Sequence, residues 1–338
     1  MKTSKILLAL AIPAVLASCS KEPELPYDLE GTLHTFAVSV TKSTQHDLLL
    51  NAGSTTGDYH VILSIPNNMG DYSSYLKEVQ LMCVYTSVSG TMSTAIAADG
   101  ITAFPADVQI DLAALCSDLG IAAPTIGDKM QFAANIVHKD GTVVPGWSST
   151  MGFNYRAPSF FTMPDGSKFS YCATFTAAAP LQTAKFAGGN NVLFTESLGS
   201  AYEASYPAAV TRLASADIPE EIIGAGFTAD DYIGLKLEFN WYGLSDIEFY
   251  IFINSKDYSV NIPEQLVSKT DQTFYYDAYY ENGGTGEIWF YNASAELDTQ
   301  TNILSFTMNA EWDISTGAYA GAYISFGSDA YEIDFTGL

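Results

Sequence analysis

Short runs of alternating hydrophobic and polar residues make up most of the chain from Leu33 onward. In the first half these runs cover residues 34–40, 59–65, 79–85 and 130–137. Alternation with a period of two is typical of strands with one buried face, and the Asp140-Gly141 pair after the last run is typical of a hairpin turn. Several short strands at this spacing predict an immunoglobulin-like β-sandwich over residues 32–157.

One stretch of the first half has a helical rather than a strand pattern. Residues 111–118 read DLAALCSD and are followed by Gly120. An aspartate side chain can accept a hydrogen bond at the start of a helix, and a glycine can adopt the left-handed conformation that ends one. We therefore predict a helix of one or two turns, with Asp111 as its N-cap.

The second half alternates over longer runs. In residues 232–241 the large hydrophobic side chains fall on one face and most polar ones on the other, with Gly234 as the break. Further runs cover residues 247–253, 274–280, 287–291, 303–312, 318–326 and 331–335. About ten strands with one short helix at 219–223 predict an all-β domain over residues 167–338, either a closed, calycin-like β-barrel or a jelly-roll-like sandwich.

Between the two halves the alternation lapses. Residues 155–166 contain two prolines and end on a glycine, and both residue types favour turns over regular structure. We predict a linker at residues 158–166 that separates the two domains.

The first residues have the composition of a targeting segment. Lys2 and Lys5 precede the apolar run 6–17, which is shorter than the roughly 20 residues that a membrane-spanning helix needs. A basic start, a short apolar run and small residues are typical of a secretory signal peptide, here residues 1–18. Residues 19–31 contain prolines and mixed charges and are predicted to form a flexible tether.

The end of this segment, Leu16-Ala17-Ser18-Cys19, resembles the lipobox of bacterial lipoproteins. In that family the cysteine thiol receives a diacylglycerol, the leader is removed, and the new amino terminus is usually acylated as well. The resemblance implies that Cys19 is the lipidated first residue of the mature protein, and several acyl chains anchor a protein firmly. The alternative is an ordinary secretory signal with an incidental cysteine.

With its tether, its immunoglobulin-like first domain and its aromatic-rich second domain, the chain resembles the accessory surface lipoproteins of Sus-type polysaccharide-utilisation systems. Residues 127–141 are similar to a hairpin often found in their first domains. The resemblance covers architecture only and carries over no functional position beyond Cys19. It implies a lipid anchor in the outer membrane, a body facing the extracellular side, and a glycan or an outer-membrane protein as partner.

Charge excludes one class of partner. Acidic residues outnumber basic ones 38 to 14, which gives a formal charge of −24, and such a polyanion repels the phosphates of nucleic acids. A hydrophobic content of 48% excludes a disordered chain.

Motifs for metals, cofactors and catalysis are absent from the sequence. The 4 histidines form no HExxH pair and are interpreted as lone structural or surface residues, and no CxxC or GxSxG motif occurs. Residues 224–229 match GxGxxA, but a helical segment precedes them and a strand follows, so we interpret them as a loop after a helix. Cys83, Cys116 and Cys172 lie in apolar settings typical of core residues. We predict no metal, no cofactor and no catalytic residue.

Aromatic residues near the end of the chain form the candidate ligand-binding face. Tyr275, Asp277 and Tyr279 share one face of their run, and Trp289 and Tyr291 share one face of the next. Flat rings beside carboxylates suit sugars, because the rings stack on C–H faces while carboxylates accept hydrogen bonds from hydroxyls. In the alternative, both faces are buried and these rings pack across strands.

Together these features predict a non-catalytic, lipid-anchored cell-surface binding protein with carbohydrate as the leading ligand class. A structural or adhesive lipoprotein that binds another protein is the main alternative. A glycoside hydrolase is the third, because two carboxylates at the required separation could occur among so many acids.

Overall fold

The computed structural model describes residues 35–67, 69–154, 161–189, 191–197, 203–241, 244–268, 286–316, 320–321 and 323–335. The chain divides into two units, Met1–Phe36 and Ala37–Leu338. The predicted signal peptide, Cys19 and the tether lie outside the described residues. All strands and helices of the described residues belong to the second unit.

Two sheets form the N-terminal part of this unit. The smaller, three-stranded sheet has the order β1 (Ser39–Lys42), β3 (His60–Ser64), β6 (Ala106–Gln109). The larger, six-stranded sheet has the order β2 (Leu50–Asn51), β11 (Ala173–Ala178), β7 (Lys129–His138), β4 (Leu76–Thr86), β5 (Met92–Ile101), with β8 (Val143–Val144) on β7. A separate hairpin pairs β9 (Trp147–Ser148) with β10 (Gly152–Phe153).

Buried faces of the two sheets meet in a sandwich-like core. Val61 and Leu63 of β3 are buried, and the Tyr59 ring next to them packs edge-on against Phe175 of β11, with 5.9 Å between ring centroids. Phe132 of β7 packs against the same ring in the same way. In β3 the buried residues alternate with more exposed ones, as the sequence pattern predicts for a strand with one buried face.

The predicted helix is confirmed as α1 (Leu112–Leu119). The Asp111 carboxylate accepts a hydrogen bond from the Ala114 N–H at 3.0 Å, and Gly120 ends the helix at φ 73°. The predicted Asp140-Gly141 turn is confirmed as well, since it joins β7 to β8.

Strand β11 shifts the boundary between the two parts of the chain. It pairs antiparallel with β7 and parallel with β2, so residues up to Ala178 belong to the N-terminal sheet. Residues 161–166 of the predicted linker 158–166 lie inside that part, whereas residues 158–160 lie outside the described residues. The change from one sheet to the next occurs between Ala178 and Asn191. Local sequence does not reveal this, because the partners of β11 lie far away in the chain.

One antiparallel, nine-stranded sheet contains the rest of the strands. Its order is β16 (Val260–Asn261), β15 (Leu244–Asn254), β14 (Tyr232–Trp241), β13 (Glu203–Arg212), β12 (Asn191–Ser197), β20 (Tyr323–Asp334), β19 (Ile303–Ile314), β18 (Gly286–Asp298), β17 (Gln265–Ser268). Strand β20 is continuous where the sequence pattern predicts two strands. Within the described residues, 3₁₀ helices accompany the sheet at Thr183–Phe186, Ser215–Asp217, Glu220–Ile222 and Ala229–Asp231.

The glycine motif at 224–229 lies in the loop predicted for it. It follows the 3₁₀ helix Glu220–Ile222, which replaces the predicted helix at 219–223, and β14 begins shortly after it. Gly226 has φ 85°, a conformation that glycine adopts at little cost. Dinucleotide binding needs the reverse order, a strand before the loop and a helix after it.

The nine-stranded sheet curls so that its two ends come together. Strand β17 at one end packs beside β15 near the other. The Gln265 side chain accepts a hydrogen bond from the Tyr250 N–H at 2.7 Å and donates one to the Tyr250 carbonyl at 3.1 Å. One side-chain amide of β17 thus takes the place of a backbone partner for β15. The result is a curled, barrel-like sheet rather than the two stacked sheets of a jelly roll.

Hydrophobic side chains fill the concave side of this sheet. The inward positions predicted for β14 are confirmed as buried: Ile233, Leu235, Leu237, Phe239 and Trp241. On the opposite face Lys236 pairs with Glu238 at 3.0 Å and with Glu248 at 3.3 Å. The curled sheet therefore has a packed interior, and its outer surface is the part available for ligands.

Candidate functional site

The predicted ligand-binding residues fall into two groups. Tyr275, Asp277 and Tyr279 lie outside the described residues. Trp289 and Tyr291 lie on β18, where they alternate with Ile288 and Phe290, which point into the core and are each 1% exposed. Trp289 and Tyr291 therefore share the outer face, as the alternation predicts.

Trp289 is the more exposed of the two aromatic residues on this outer face. Its side chain is 36% exposed, and its indole N–H donates to a Glu287 carboxylate oxygen at 3.4 Å. Across the sheet it faces Glu311 of β19 on one side and Leu266 of β17 on the other. A flat, partly exposed ring thus has one carboxylate beside it on β18 and another residue with a carboxylate opposite it on β19, and sequence reasoning proposed rings beside carboxylates for a sugar-binding surface.

The outward-facing aromatic residues of β18, Trp289 and Tyr291, are followed by a β-bulge. The pairing of β18 with β19 shifts after Tyr291, and Asn292 adopts a positive φ of 53°. Beyond the bulge the same outer surface contains a shallow depression of about 460 Å³. Its polar lining consists of Ser197, Ser294, Glu296, Ser305, Thr307 and Glu332. Hydroxyl and carboxylate groups therefore continue the surface that begins with Trp289, and the combined surface is longer than one sugar ring.

A second candidate site is an apolar cleft of about 520 Å³ in the N-terminal part. Its wall includes Ile62, Pro66, Met69, Tyr72, Phe104 and Met163. The Tyr72 and Phe104 rings meet edge-to-face, with centroids 6.1 Å apart. Sequence reasoning missed this cleft because distant segments of the chain contribute its walls.

One carboxylate is buried in the core of the curled sheet. Glu196 is 2% exposed and accepts a hydrogen bond from the Trp241 indole N–H at 3.1 Å. Its inward-facing neighbours on β12 and β14 are core side chains such as Phe194 and Phe239. A hydrolytic carboxylate must reach both water and substrate, so this geometry fits a structural role.

Histidines from two segments meet at one end of β3, the central strand of the smaller sheet. The rings of His46 and His60 stack with centroids 3.6 Å apart and planes inclined by 9°. The His60 Nε2 atom lies 3.2 Å from Asp58 Oδ1, and the His46 Nε2 atom lies 3.8 Å from Asp58 Oδ2. These two histidines are thus not lone residues, contrary to their interpretation from the sequence. Among the described residues, these three are the ones whose side-chain atoms could share a metal ion.

No family model, curated protein or solved structure matches this chain. Among the described residues no helix combines the length and the apolar character needed to cross a membrane. The functional proposal therefore depends on the residues and on their geometry.

Cysteine chemistry is not favoured in the described part of the chain. Cys83, Cys116 and Cys172 are unpaired, and the first two are buried as predicted for core residues. Burial raises the pKa of each of these thiols above its ordinary value. Because the thiolate is the reactive form, burial lowers the nucleophilicity of all three.

Two features of the sequence agree with the histidine cluster that the fold shows. Asp58 and His60 are two residues apart, so both side chains project from the same face of an extended segment. His46 precedes them across a turn, and Asp107 faces them from β6. The stacking of His46 on His60 depends on the pairing of β1 with β3, and for this reason spacing alone did not identify the cluster.

Proposed function

We propose that this protein is a non-catalytic binding protein of the cell envelope and that its ligand is a carbohydrate. The observation that carries the proposal is Trp289, partly exposed on the outer face of the nine-stranded sheet, with Glu287 as its hydrogen-bond partner and Glu311 opposite it on β19. An indole ring offers a stacking surface, and the carboxylates accept hydrogen bonds from hydroxyl groups. The polar depression beyond the bulge extends this surface for a polysaccharide rather than a single sugar.

The proposal includes a lipid anchor at Cys19 and a location at the outer membrane, facing outward. Its support is the lipobox-like sequence, the proline-containing tether after it, and the acidic composition, which suits a well-solvated extracellular body. A protein partner instead of a glycan is the alternative, and the apolar cleft around Tyr72 and Phe104 is the surface that favours it.

Replacing Trp289 with alanine is expected to weaken glycan binding by about 5- to 150-fold, since stacking on an aromatic side chain contributes about 1–3 kcal/mol. Polysaccharides that retard the protein in affinity electrophoresis are identified first, and calorimetry then compares the variants. Trp147→Ala is the matched control, because Trp147 is also partly exposed but lies on β9, outside this face. Equal loss in both variants, or no loss in Trp289→Ala, contradicts the proposed surface.

Replacing Cys19 with serine is expected to move the protein from the membrane fraction to the soluble fraction and to abolish incorporation of a labelled fatty acid. The reason is that serine lacks the thiol that receives the diacylglycerol. Cys172→Ser is the control and keeps both properties. A Cys19→Ser protein that stays in the membrane fraction contradicts the anchor and leaves the glycan-binding surface untouched.

A further inference from the structure

We propose that His46, Asp58 and His60 bind a divalent transition-metal ion such as Zn²⁺, and that this ion fixes the turn through which the N-terminal sheets contact the curled sheet. The three ligand atoms lie within 4.8 Å of one another. In a tetrahedral site with bonds of about 2.0–2.1 Å, neighbouring ligand atoms are about 3.3 Å apart. His60 Nε2 lies 3.2 Å from Asp58 Oδ1, close to this spacing, and His46 Nε2 lies 3.8 Å from the other carboxylate oxygen, Oδ2.

The opposite ring nitrogens are already engaged by partners. His60 Nδ1 lies 2.7 Å from Asp107 Oδ1, and His46 Nδ1 lies 2.9 Å from Ser43 Oγ. Because an ionised carboxylate only accepts hydrogen bonds, Nδ1 of His60 is the donor, and in the neutral ring its lone pair is on Nε2. A carboxylate behind a ligating histidine is the usual second partner in zinc sites, where it orients the ring and strengthens the ligand.

The groups around the space between His60 Nε2 and Asp58 favour a cation there. A nitrogen lone pair and a carboxylate oxygen face each other there at 3.2 Å, an arrangement that a metal ion between them stabilises. Further negative charge surrounds the space, since Asp107 is hydrogen-bonded to the same ring and Asp47 accepts a hydrogen bond from the Asp58 N–H. Two imidazoles and one carboxylate favour transition metals over Ca²⁺ or Mg²⁺, which prefer all-oxygen sites. A water molecule would complete a tetrahedral site.

Metal binding requires one local movement. The two rings are stacked with nearly parallel planes, and each Nε2 lone pair lies in the plane of its own ring, so the two lone pairs do not converge on one point. His60 belongs to β3, whereas His46 lies in the turn at residues 43–47 between β1 and β2. We therefore expect His46 to rotate towards the ion, which fixes the turn in one position.

That turn also contacts the curled sheet. The Gln45 carbonyl accepts a hydrogen bond from Lys256 Nζ at 2.6 Å, and Lys256 is 3.6 Å from Asp231. Thr44 packs against Gly226 so closely that a Cβ atom there would lie 2.3 Å from the Thr44 hydroxyl. An ion held by His46 thus constrains the neighbouring residues that join the two parts of the chain.

Titration of the tag-free, chelator-treated protein with Zn²⁺ by calorimetry tests the site, with Ca²⁺ as the contrasting ion. One equivalent of Zn²⁺ is expected to bind, and Ca²⁺ is not. His46→Ala, His60→Ala and Asp58→Asn are expected to abolish or strongly weaken binding, while Asp107→Asn weakens it about 10–100-fold. Asp118→Asn, on the exposed face of α1, removes the same charge as Asp58→Asn and leaves binding unchanged.

Absence of saturable Zn²⁺ binding, or binding that survives both histidine substitutions, overturns the site. Circular dichroism and urea midpoints without metal establish that each variant is folded. Hydrogen exchange with and without Zn²⁺ tests the second part of the proposal. Slower exchange is expected both at residues 43–60 and at residues 254–258, and slowing confined to the first range overturns the link to the curled sheet. None of these outcomes depends on glycan binding.

Discussion

Replacing Phe194 with alanine is expected to lower the free energy of unfolding by about 3–5 kcal/mol, the cost of removing a large side chain from a packed core. Phe194 has no exposed surface. Its ring stacks on Phe239, with centroids 4.5 Å apart, and meets Phe249 edge-on at 5.9 Å. Phe306 and Tyr331 lie within 6.0 Å from the other side. One ring thus links strands β12, β14, β15, β19 and β20.

Urea unfolding followed by tryptophan fluorescence measures this effect, because Trp241 and Trp312 are buried in the same core. Leu193→Ala is the matched control. Leu193 is the adjacent residue on β12, points outward and is 44% exposed, so its loss is expected to change stability by less than about 0.5 kcal/mol. Similar unfolding midpoints for the two variants would contradict the inward orientation of Phe194 and the register of β12.

Local patterns predicted those parts of the fold that depend on neighbouring residues. Strand β14 buries every second side chain because a half-buried strand must do so, and α1 begins and ends at residues whose side chain or backbone conformation suits a terminus. The outward orientation of Trp289 follows from the same period of two. Each of these features could be read within about ten residues of sequence.

Features that depend on distant residues could not be predicted in this way. The pairing of β11 with β7 joins residues about 40 positions apart, and it moved the end of the N-terminal part past the predicted linker. The closure of the curled sheet depends on Gln265, a residue with no distinctive sequence context. The histidine cluster depends on the pairing of β1 with β3, which brings the turn with His46 to His60, and the pairing of β3 with β6 adds Asp107 behind the His60 ring.

Replacing Asp128 with asparagine is expected to destabilise the N-terminal part by about 2–4 kcal/mol at pH 7, because hydrogen bonds to a buried charged group contribute more than neutral ones. Asp128 is 1% exposed. Its carboxylate accepts hydrogen bonds from the Tyr85 hydroxyl and the Thr125 N–H at 2.7 Å, and from the Val88 N–H and the Thr125 hydroxyl at 2.9 Å. Asparagine turns an amide N–H₂ towards some of these donors and leaves them without an acceptor.

The effect is expected to depend on pH in a defined direction. Burial raises the pKa of Asp128, but the hydrogen bonds from Thr125, Tyr85 and Val88 outweigh it, and the pKa lies below its ordinary value. A depressed pKa means that the carboxylate stabilises the fold above the unfolded-state value of about 3.9 and loses this contribution as the pH falls through the folded-state value. The difference between wild type and Asp128→Asn should therefore be constant near neutral pH and shrink below about pH 4.

Urea midpoints measured across this pH range test the prediction, with Asp99→Asn as the control for loss of one exposed carboxylate. Tyr85→Phe separates the contributions further. Burial and the bond to Asp128 raise the pKa of Tyr85 to about 12, so its hydroxyl remains a donor throughout the acidic range, and Tyr85→Phe should cost less than Asp128→Asn because one donor is lost rather than the shared acceptor. A stability difference that persists unchanged in strong acid would show that the shape of the Asp128 side chain matters, and not its charge.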